Sequence, residues 1–316
     1  MPLYVNVPID NPQYHNQTEL LDVDDETFQH SFDWKKPNLP VKIYRFLCFI
    51  VFLGPLRIIF TLLSVLIIYI TFWILPLFKP LFKTGRSFKE WAYKVMHPIW
   101  RMLLLGIGII HVKINGEVNF DTRTVIANHL TGVDAVTLFY VFPSMFLATA
   151  GIKDASFVYR GKMVFDQIYV DRTKKEGVTQ IIRDAQNDPD KLPVAVFPEG
   201  RVTNGSCLLG FRHGAFVNDT QLQAVAIRYR HWLMPESMAT ISWVEWNFFH
   251  YIYQMFSVPF YTVEATILPP VVYDSSIPIE KRAINAELSI ANTLGCPAIS
   301  RTNKGVRIEK PKEKED

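Results

Sequence analysis

The chain has only three cysteines and little net charge, and each shortage removes a class of protein from consideration. Cys48, Cys207 and Cys296 show no C-x-x-C spacing and cannot all pair with one another, so neither a disulfide framework nor a zinc site is indicated. This use of cysteine favours a reducing environment that faces the cytosol. The net charge of +3 is small and no basic stretch alternates with aromatic residues, so nucleic acid is not an expected partner.

Two sequence patterns are also absent. No internal repeat is visible, and no G-x-S-x-G nucleophile elbow is present, which disfavours a hydrolase that works by double displacement. What the chain does have is 316 residues with 49% apolar content, enough for one large domain with a sizeable core. Residues 1–37 are polar and show little periodicity, so we expect a disordered tail there.

A long apolar run follows this tail. Residues 58–78 contain no charge, and as a helix these 21 residues would span about 32 Å, close to the roughly 30 Å of a bilayer core. The run lies too far from the N-terminus for a signal peptide and lacks a small-residue cleavage site. Apolar character begins at residue 46, but Gly54-Pro55 and Arg57 interrupt it. We therefore predict a membrane anchor with a basic flank over residues 38–95, either one span behind an interfacial helix or a bent hairpin.

The rest of the chain alternates short strands with helices. Apolar and helical spacing predict strands at residues 124–127, 192–197 and 222–229, and helices at residues 131–139, 178–185 and 284–294. Such alternation predicts the α/β class, with a mixed, mostly parallel sheet flanked by helices. The aromatic-rich residues 243–261 suit either a headgroup interface or an ordinary core helix. We place one large domain at residues 96–275, and a C-terminal helix with a charged tail at residues 276–316.

An imidazole and a carboxylate occur at H-x4-D spacing, as His129 and Asp134. Chance produces this spacing readily, and Thr131 with Asp134 also fits a helix capping box. If a helix begins near Thr131, a first-turn carboxylate can reach back to a ring nitrogen of His129, set its tautomer and support the imidazolium. His129 would then be a general base. Because no protein nucleophile stands out, the hydroxyl of a substrate would attack directly.

Two later stretches offer groups that bind anions. Residues 197–205 (FPEGRVTNG) follow a predicted strand, and their glycines let backbone N–H groups approach an anion closely. Arg201 in this stretch and Arg172 in the Val-Asp-Arg stretch can each hold a phosphate. Taken alone, Asp171-Arg172 is better explained as a surface ion pair, and Pro-Glu-Gly is often only a turn.

The order of these stretches is more specific than any one of them. Asn-His-x4-Asp, Val-Asp-Arg, Phe-Pro-Glu-Gly and, at residues 225–229, Val-Ala-Ile-Arg-Tyr resemble the four ordered blocks of the glycerophospholipid acyltransferases. The resemblance covers roughly residues 125–229. It continues more loosely beyond them, where the chain looks most like the lysophosphatidylcholine and lysophosphatidylethanolamine acyltransferase branch. Asp166, Arg201 and Ala224 depart from the family's blocks.

The resemblance implies what each part does. It identifies residues 96–275 as an acyltransferase catalytic domain, with His129 as the base and Asp134 as its partner. The implied substrate-binding residues are Arg172, Glu199, Gly200, Arg201 and Asn204. Acyl-CoA is expected as a co-substrate, and neither a metal nor another cofactor is expected.

The same resemblance implies a lysophospholipid acceptor and contact with membrane lipid. The last five residues, KEKED, place lysines third and fifth from the end, which looks like a dilysine retrieval signal. We therefore expect the endoplasmic-reticulum membrane, with the catalytic domain in the cytosol. Two alternative functions stay open. One is a CoA-independent transacylase. The other is a catalytically silent membrane lipid-binding protein, which the departures at Asp166, Arg201 and Ala224 would support.

Overall fold

The computed structural model describes residues 4–34, 37–149, 156–170, 178–235, 241–244 and 247–303. These residues form an eight-stranded sheet with helices on both faces. The strands are β1 (Tyr4–Val7), β2 (Ile109–Asn115), β3 (Thr124–Ala127), β4 (Met145–Thr149), β5 (Ile168–Val170), β6 (Val194–Val196), β7 (Leu222–Trp232) and β8 (Phe260–Ile267). The helices are α1 (Asp25–His30), α2 (Leu39–Val51), α3 (Gly54–Ile74), α4 (Gly85–Ile107), α5 (Val133–Val141), α6 (Ser156–Phe165), α7 (Val178–Asn187), α8 (Phe248–Ser257) and α9 (Ile279–Leu294).

The sheet is mixed and mostly parallel. Its order is β2-β8-β7-β3-β6-β4-β5, and β1 pairs with β7 beside this path. Only the β7–β8 and β1–β7 pairs are antiparallel among the described strands. The predicted fold class is therefore confirmed.

The sheet divides the core in two, and strand β7, between β8 and β3, contributes to both parts. Val225, Ile227 and Tyr229 point to the face covered by α3, α4, α5 and α8, whereas Ala224 and Ala226 point to the face covered by α9. Both faces are buried, which explains why residues 222–227 are apolar, except for Gln223, instead of alternating with polar residues.

The N-terminal segment is folded, so the predicted disordered tail over residues 1–37 is wrong for the part that is described. Strand β1 pairs with the second half of β7, with Tyr4 opposite Trp232 and Val7 opposite Tyr229. Farther on, Phe28 and Phe32 are buried. The apolar side chains here are few, but Val5, Val7, Phe28 and Phe32 are buried against surfaces that the rest of the chain presents. A composition window cannot detect such surfaces.

Helix α3 and the short 3-10 turns that continue it to Leu81 form the one stretch of the described chain that is long and apolar enough to cross a membrane. It begins at Gly54, four residues before the predicted start, because proline is tolerated in the first turn of a helix. The break from α2 falls instead at Leu53, whose φ of +58° lies in the left-handed region.

Helix α3 lies along the domain and does not stand away from it. Thr61, near its start, touches Gly106, near the end of α4, so the two helices run antiparallel. Ile68 and Phe72 of α3 are buried, and the Phe72 ring packs against Phe157 and Phe165 of α6, while the opposite side of α3 is exposed and apolar. The predicted boundary between residues 95 and 96 falls inside α4, which Pro98 does not break, and it is wrong as a structural division.

The aromatic-rich stretch and the C-terminal region divide more finely than predicted. In α8, Tyr251 and Phe256 are buried, as in an ordinary core helix, whereas Phe248 and Phe249 are exposed. Contact of these exposed rings with a headgroup interface stays a prediction. Helix α9 ends at Gly295, which adopts φ +59° as a left-handed cap. The charged tail at residues 304–316, including the lysines of the expected retrieval signal, lies outside the described residues.

Candidate active site

The site forms where two parallel neighbours end. Strands β3 and β6 pair with Ile126 opposite Val196, so the loops that follow them meet at the same edge of the sheet. Asn128, the residue after β3, continues the pairing with β7 through its side chain. Its Nδ2 donates to the carbonyl of Ile227 at 2.9 Å, and its Oδ1 accepts from the N–H of Ile227 at 2.8 Å. This fixed asparagine leads directly into His129.

The Asp134 carboxylate organises the loop that carries His129. It is fully buried in the first turn of α5. Its Oδ2 accepts from His129 Nδ1 at 3.0 Å, from the N–H of Leu130 at 2.6 Å and from the N–H of Thr131 at 2.8 Å. The Tyr229 hydroxyl donates to Oδ1 at 2.8 Å. Because a carboxylate only accepts, His129 donates from Nδ1, and the neutral ring presents Nε2 as an acceptor.

The His129 ring is also fixed from its face. It stacks on Phe197, the first residue after β6, with ring centroids 4.2 Å apart and an angle of 12° between the planes. The side chain keeps 21% of its surface exposed. The imidazole is therefore held in one orientation while part of its surface stays accessible, an arrangement that is compatible with the predicted role of a general base.

The capping box predicted at Thr131 exists only in part. Asp134 accepts from the N–H of Thr131, as such a box requires, but the Thr131 hydroxyl does not cap the helix. It lies 2.5 Å from the hydroxyl of Tyr251, on α8. A buried tyrosine hydroxyl needs a partner, and this pairing supplies one.

Glu199 contacts His129 through the backbone. Its carboxylate accepts from the N–H of His129 at 2.7 Å and from the N–H of Leu209 at 3.1 Å. It is 1% exposed, and burial raises the pKa of Glu199 to about 8. Glu199 therefore ties two loops together instead of presenting a carboxylate to solvent.

Gly200 occupies a position that suits glycine for two reasons. Its φ is +67°, and an added Cβ would lie 2.9 Å from Nε of Arg212. Arg201 follows, half-buried, with its guanidinium carbon 5.3 Å from the ring centroid of Phe32. Burial lowers the pKa of Arg201. Within the described ranges, Arg201 makes no hydrogen bond and no ion pair.

Asn204 connects the same loop to the N-terminal segment. Its backbone N–H donates to the carbonyl of Ser31 at 2.8 Å, and its Nδ2 donates to the carbonyl of His30. The predicted residues His129, Glu199, Gly200, Arg201 and Asn204 thus lie on connected loops, and Asp134 lies in the first turn of α5. Arg172 lies outside the described residues. The roles assigned to all seven stay predictions.

Two tyrosines of the site were not predicted from the sequence. Burial raises the pKa of Tyr229 well above its ordinary range, with the Asp134 charge as a further cause, and burial raises that of Tyr251 to about 12. Both remain neutral hydroxyl groups that can donate. Tyr229 is the last residue of the fourth ordered block, and this position could have indicated that it belongs to the site. No motif in the sequence around Tyr251 indicates the same for that residue.

An apolar pocket of about 160 Å³ lies beside the site. The aromatic residues that line it are Phe72, Trp100, Phe139, Phe146, Phe157 and Phe165. Phe146 links the pocket to the site, because it lies 6.2 Å from Phe197, the ring on which His129 stacks. Phe72 belongs to α3, so the pocket joins the apolar helix to the neighbourhood of His129.

The departure at Asp166 has a structural counterpart. Asp166 lies at the rim of this pocket with φ +52°, a conformation that favours glycine but that aspartate tolerates better than most residues. Its carboxylate forms an ion pair with the ammonium group of Lys89. Nowhere in the described residues do three or more His, Cys, Asp or Glu side chains gather as metal ligands.

This region is similar in sequence to known proteins. Residues 111–229 match the family model described as Acyltransferase. The chain is 31% identical over 167 residues to a lysophospholipid acyltransferase of Arabidopsis thaliana, covering 51% of this chain and 29% of that protein. It is 27% identical over 209 residues to lysophosphatidylcholine acyltransferase 2 of Danio rerio, covering 62% of this chain and 38% of that protein. The chain thus matches well under half the length of these relatives.

A solved structure has a similar fold. It is the crystal structure of the 1-acyl-sn-glycerophosphate (LPA) acyltransferase PlsC from Thermotoga maritima, with a TM-score of 0.50 and 14% sequence identity. The similarity covers 74% of this chain and 96% of that chain. At this identity it concerns the fold alone.

Proposed function

Since the chain contains an acyltransferase-family domain at residues 111–229, we propose that it transfers a fatty acyl group from acyl-CoA to the free hydroxyl of a lysophospholipid. One observation carries the proposal: the His129–Asp134 pair stands beside an apolar pocket, with Phe197 and Phe146 between them. A base and an apolar slot are what an acyl transfer to an alcohol needs.

In the proposed reaction, Nε2 of His129 takes the proton of the acceptor hydroxyl as its oxygen attacks the thioester carbonyl carbon. The carbon–sulfur bond then breaks, the CoA thiolate leaves, and it takes up the proton that His129 holds. Asp134 stabilises the imidazolium that forms between these steps. Base catalysis of this kind contributes about 10²- to 10⁴-fold, so positioning of the two substrates must supply more.

The binding residues act in two ways in this proposal. Arg201 and Arg172 hold the phosphate of the acceptor by charge-assisted hydrogen bonds. Glu199, Gly200 and Asn204 act through the backbone, because their contacts fix the loop on which Arg201 stands. Oriented loops of this kind place a substrate hydroxyl within reach of a base.

The proposed setting is the endoplasmic-reticulum membrane, with the domain on the cytosolic side. Lysophospholipids and acyl-CoA both carry long acyl chains, and the exposed apolar side of α3 would bring the site to the surface where they reside. The pocket lined by Phe72 would then receive an acyl chain directly from that side.

The test is an assay of purified full-length protein with labelled acyl-CoA and a panel of lysophospholipids and glycerol 3-phosphate. We expect acylated lysophospholipid, and a loss of at least about 100-fold in kcat for His129→Ala and Asp134→Asn. His111→Ala is the matched control, because His111 is an exposed histidine of β2. It should keep wild-type activity.

The same assay separates the two rivals. Product formed without acyl-CoA would support a transacylase that exchanges acyl groups between phospholipids. Absence of transfer together with retained lysophospholipid binding would support the silent lipid-binding protein. Equal activity of wild type and His129→Ala would contradict the proposed mechanism.

A further inference from the structure

The N-terminal wall, residues 24–33, covers the loop that carries Arg201. The backbone carbonyls of His30 and Ser31 accept hydrogen bonds from Asn204. The Ser31 hydroxyl lies 3.0 Å from Sγ of Cys207. Phe28 and Phe32 pack with Cys207, Leu209 and Ile299 in a separate small core. The wall therefore contacts both the loop and the segment that follows it.

The contact with Arg201 lies close to the catalytic histidine. Arg201 stands between Glu199, which accepts from the N–H of His129, and Thr203, whose N–H donates to the carbonyl of His129 at 3.2 Å. Any shift of Arg201 along this loop is thus limited at both ends. What remains free is the direction of its side chain.

Phe32 limits that direction. Its ring is buried and meets the Phe28 ring edge-on, with centroids 5.4 Å apart and 82° between the planes. This packing holds the Phe32 ring in place when the Arg201 guanidinium moves. The Arg201 guanidinium lies over this ring. A cation is attracted to the face of an aromatic ring, and the attraction leaves the outward N–H groups of the guanidinium available.

Arg201 also lacks an anionic partner among the described residues, although it is half-buried. A partly desolvated guanidinium that is paired only with a ring retains donors for an oxygen anion. An acceptor phosphate bound there would lie on the loop that flanks His129.

We propose that the N-terminal wall forms part of the acceptor site, and that Phe32 is a positioning residue which aims the Arg201 guanidinium at the phosphate of the lysophospholipid. This inference rests on the proposed acyl transfer. It adds a segment that lies outside the acyltransferase-family match and joins directly to the residues before α2.

The chain offers a matched pair of variants for the test. Phe28 belongs to the same small core as Phe32, but its ring lies under Arg301, with 4.3 Å to the guanidinium carbon. Phe32→Leu and Phe28→Leu therefore remove similar apolar contacts, and only the first removes the ring beneath Arg201. Phe32→Tyr keeps the ring, and Phe32→Met is a second way to remove it should leucine prevent folding.

Initial rates are measured on full-length protein with lysophosphatidylcholine as acceptor and labelled oleoyl-CoA as donor. We expect Phe32→Leu to raise the KM for lysophosphatidylcholine about 3- to 10-fold, with kcat and the KM for oleoyl-CoA within about twofold. Phe32→Tyr and Phe28→Leu should stay near the wild-type KM. In an Arg201→Gln background, Phe32→Leu should change the acceptor KM no further.

Three outcomes would overturn the inference. Equal effects of Phe32→Leu and Phe28→Leu would assign the change to general packing. An undiminished effect of Phe32→Leu in the Arg201→Gln background would show that Phe32 does not act through Arg201. An unchanged acceptor KM in Phe32→Leu and Phe32→Met would remove the role altogether. All three leave the proposed function standing, whereas a wild-type protein without transfer would remove both.

Discussion

The Asp134 carboxylate is the centre of the site at the scale of single residues. Three donors from the loop reach one oxygen, and the other oxygen accepts from Tyr229. The loop bonds come from residues three to five positions away, so they follow from the local sequence. The tyrosine comes from 95 residues away and completes a set that leaves neither oxygen unpaired.

Removing that tyrosine hydroxyl tests its contribution. We expect Tyr229→Phe to lower the free energy of unfolding by about 1–3 kcal/mol, because Oδ1 of Asp134 would lose its donor while remaining buried. The kcat should fall with it, since Asp134 also orients His129. Chemical denaturation and the acyl-transfer assay measure the two effects. Tyr159→Phe, at an exposed tyrosine of α6, is the control and should change neither.

At the scale of elements, α9 supports the site from behind the sheet. Glu287 on this helix accepts from the N–H of Phe211 at 3.0 Å, two residues beyond Leu209, which donates to Glu199. Burial raises the pKa of Glu287 to about 9, and the nearby Glu199 charge adds to the shift. Two buried acids thus hold neighbouring parts of one loop.

The raised pKa predicts how stability depends on pH. Glu287 binds its proton more tightly when folded, so its contribution is present below the ordinary value of 4.5 and is lost as the pH rises towards 9. We expect the free energy of unfolding to fall over this range, and Glu287→Gln to make the fall shallower. Denaturation midpoints at pH 6 and pH 8.5 measure it. Glu280→Gln, at an exposed acid on the same helix, should leave the slope unchanged, and an equal change in both variants would contradict the assignment.

At the scale of the whole molecule, the apolar surface of α2 and α3 dominates one side. Leu62 and Leu66 are 63% and 51% exposed, one helical turn apart on α3. Apolar patches of this extent are rare on monomeric proteins that have no partner or membrane. Phe72 of the same helix lines the aromatic pocket.

Charges on that surface should weaken membrane attachment. The double variant Leu62→Glu/Leu66→Glu is expected to release the full-length protein from membranes during carbonate extraction, because a charge at the centre of an inserted helix costs about 2.5–3.5 kcal/mol. Phe120→Glu is the control, since Phe120 is 67% exposed in the loop between β2 and β3. Equal retention of both variants in the membrane pellet would count against membrane insertion of α3.

The features that could be predicted from the sequence are those that depend on near neighbours along the chain. The charge-free run at residues 58–78 overlaps α3, the β-branched run at residues 124–127 is β3, and Gly295 ends α9. Burial on one side or both sides of an element leaves a periodic pattern along the chain, and glycine marks left-handed backbone. The order of the motifs likewise required no coordinates.

The tertiary structure was needed to show which distant residues meet. It placed Tyr229 and Tyr251 at the His129 loop, buried the Glu199 carboxylate between two backbone segments, and folded Phe32 beneath Arg201. Asn204 contacts a residue 174 positions away. Such contacts depend on how whole helices and strands pack together. The pattern of residues near each contact in the sequence does not indicate which distant surface it will meet. The predicted disorder of the N-terminal segment is wrong for the same reason, because this segment is folded through contacts with residues elsewhere in the chain.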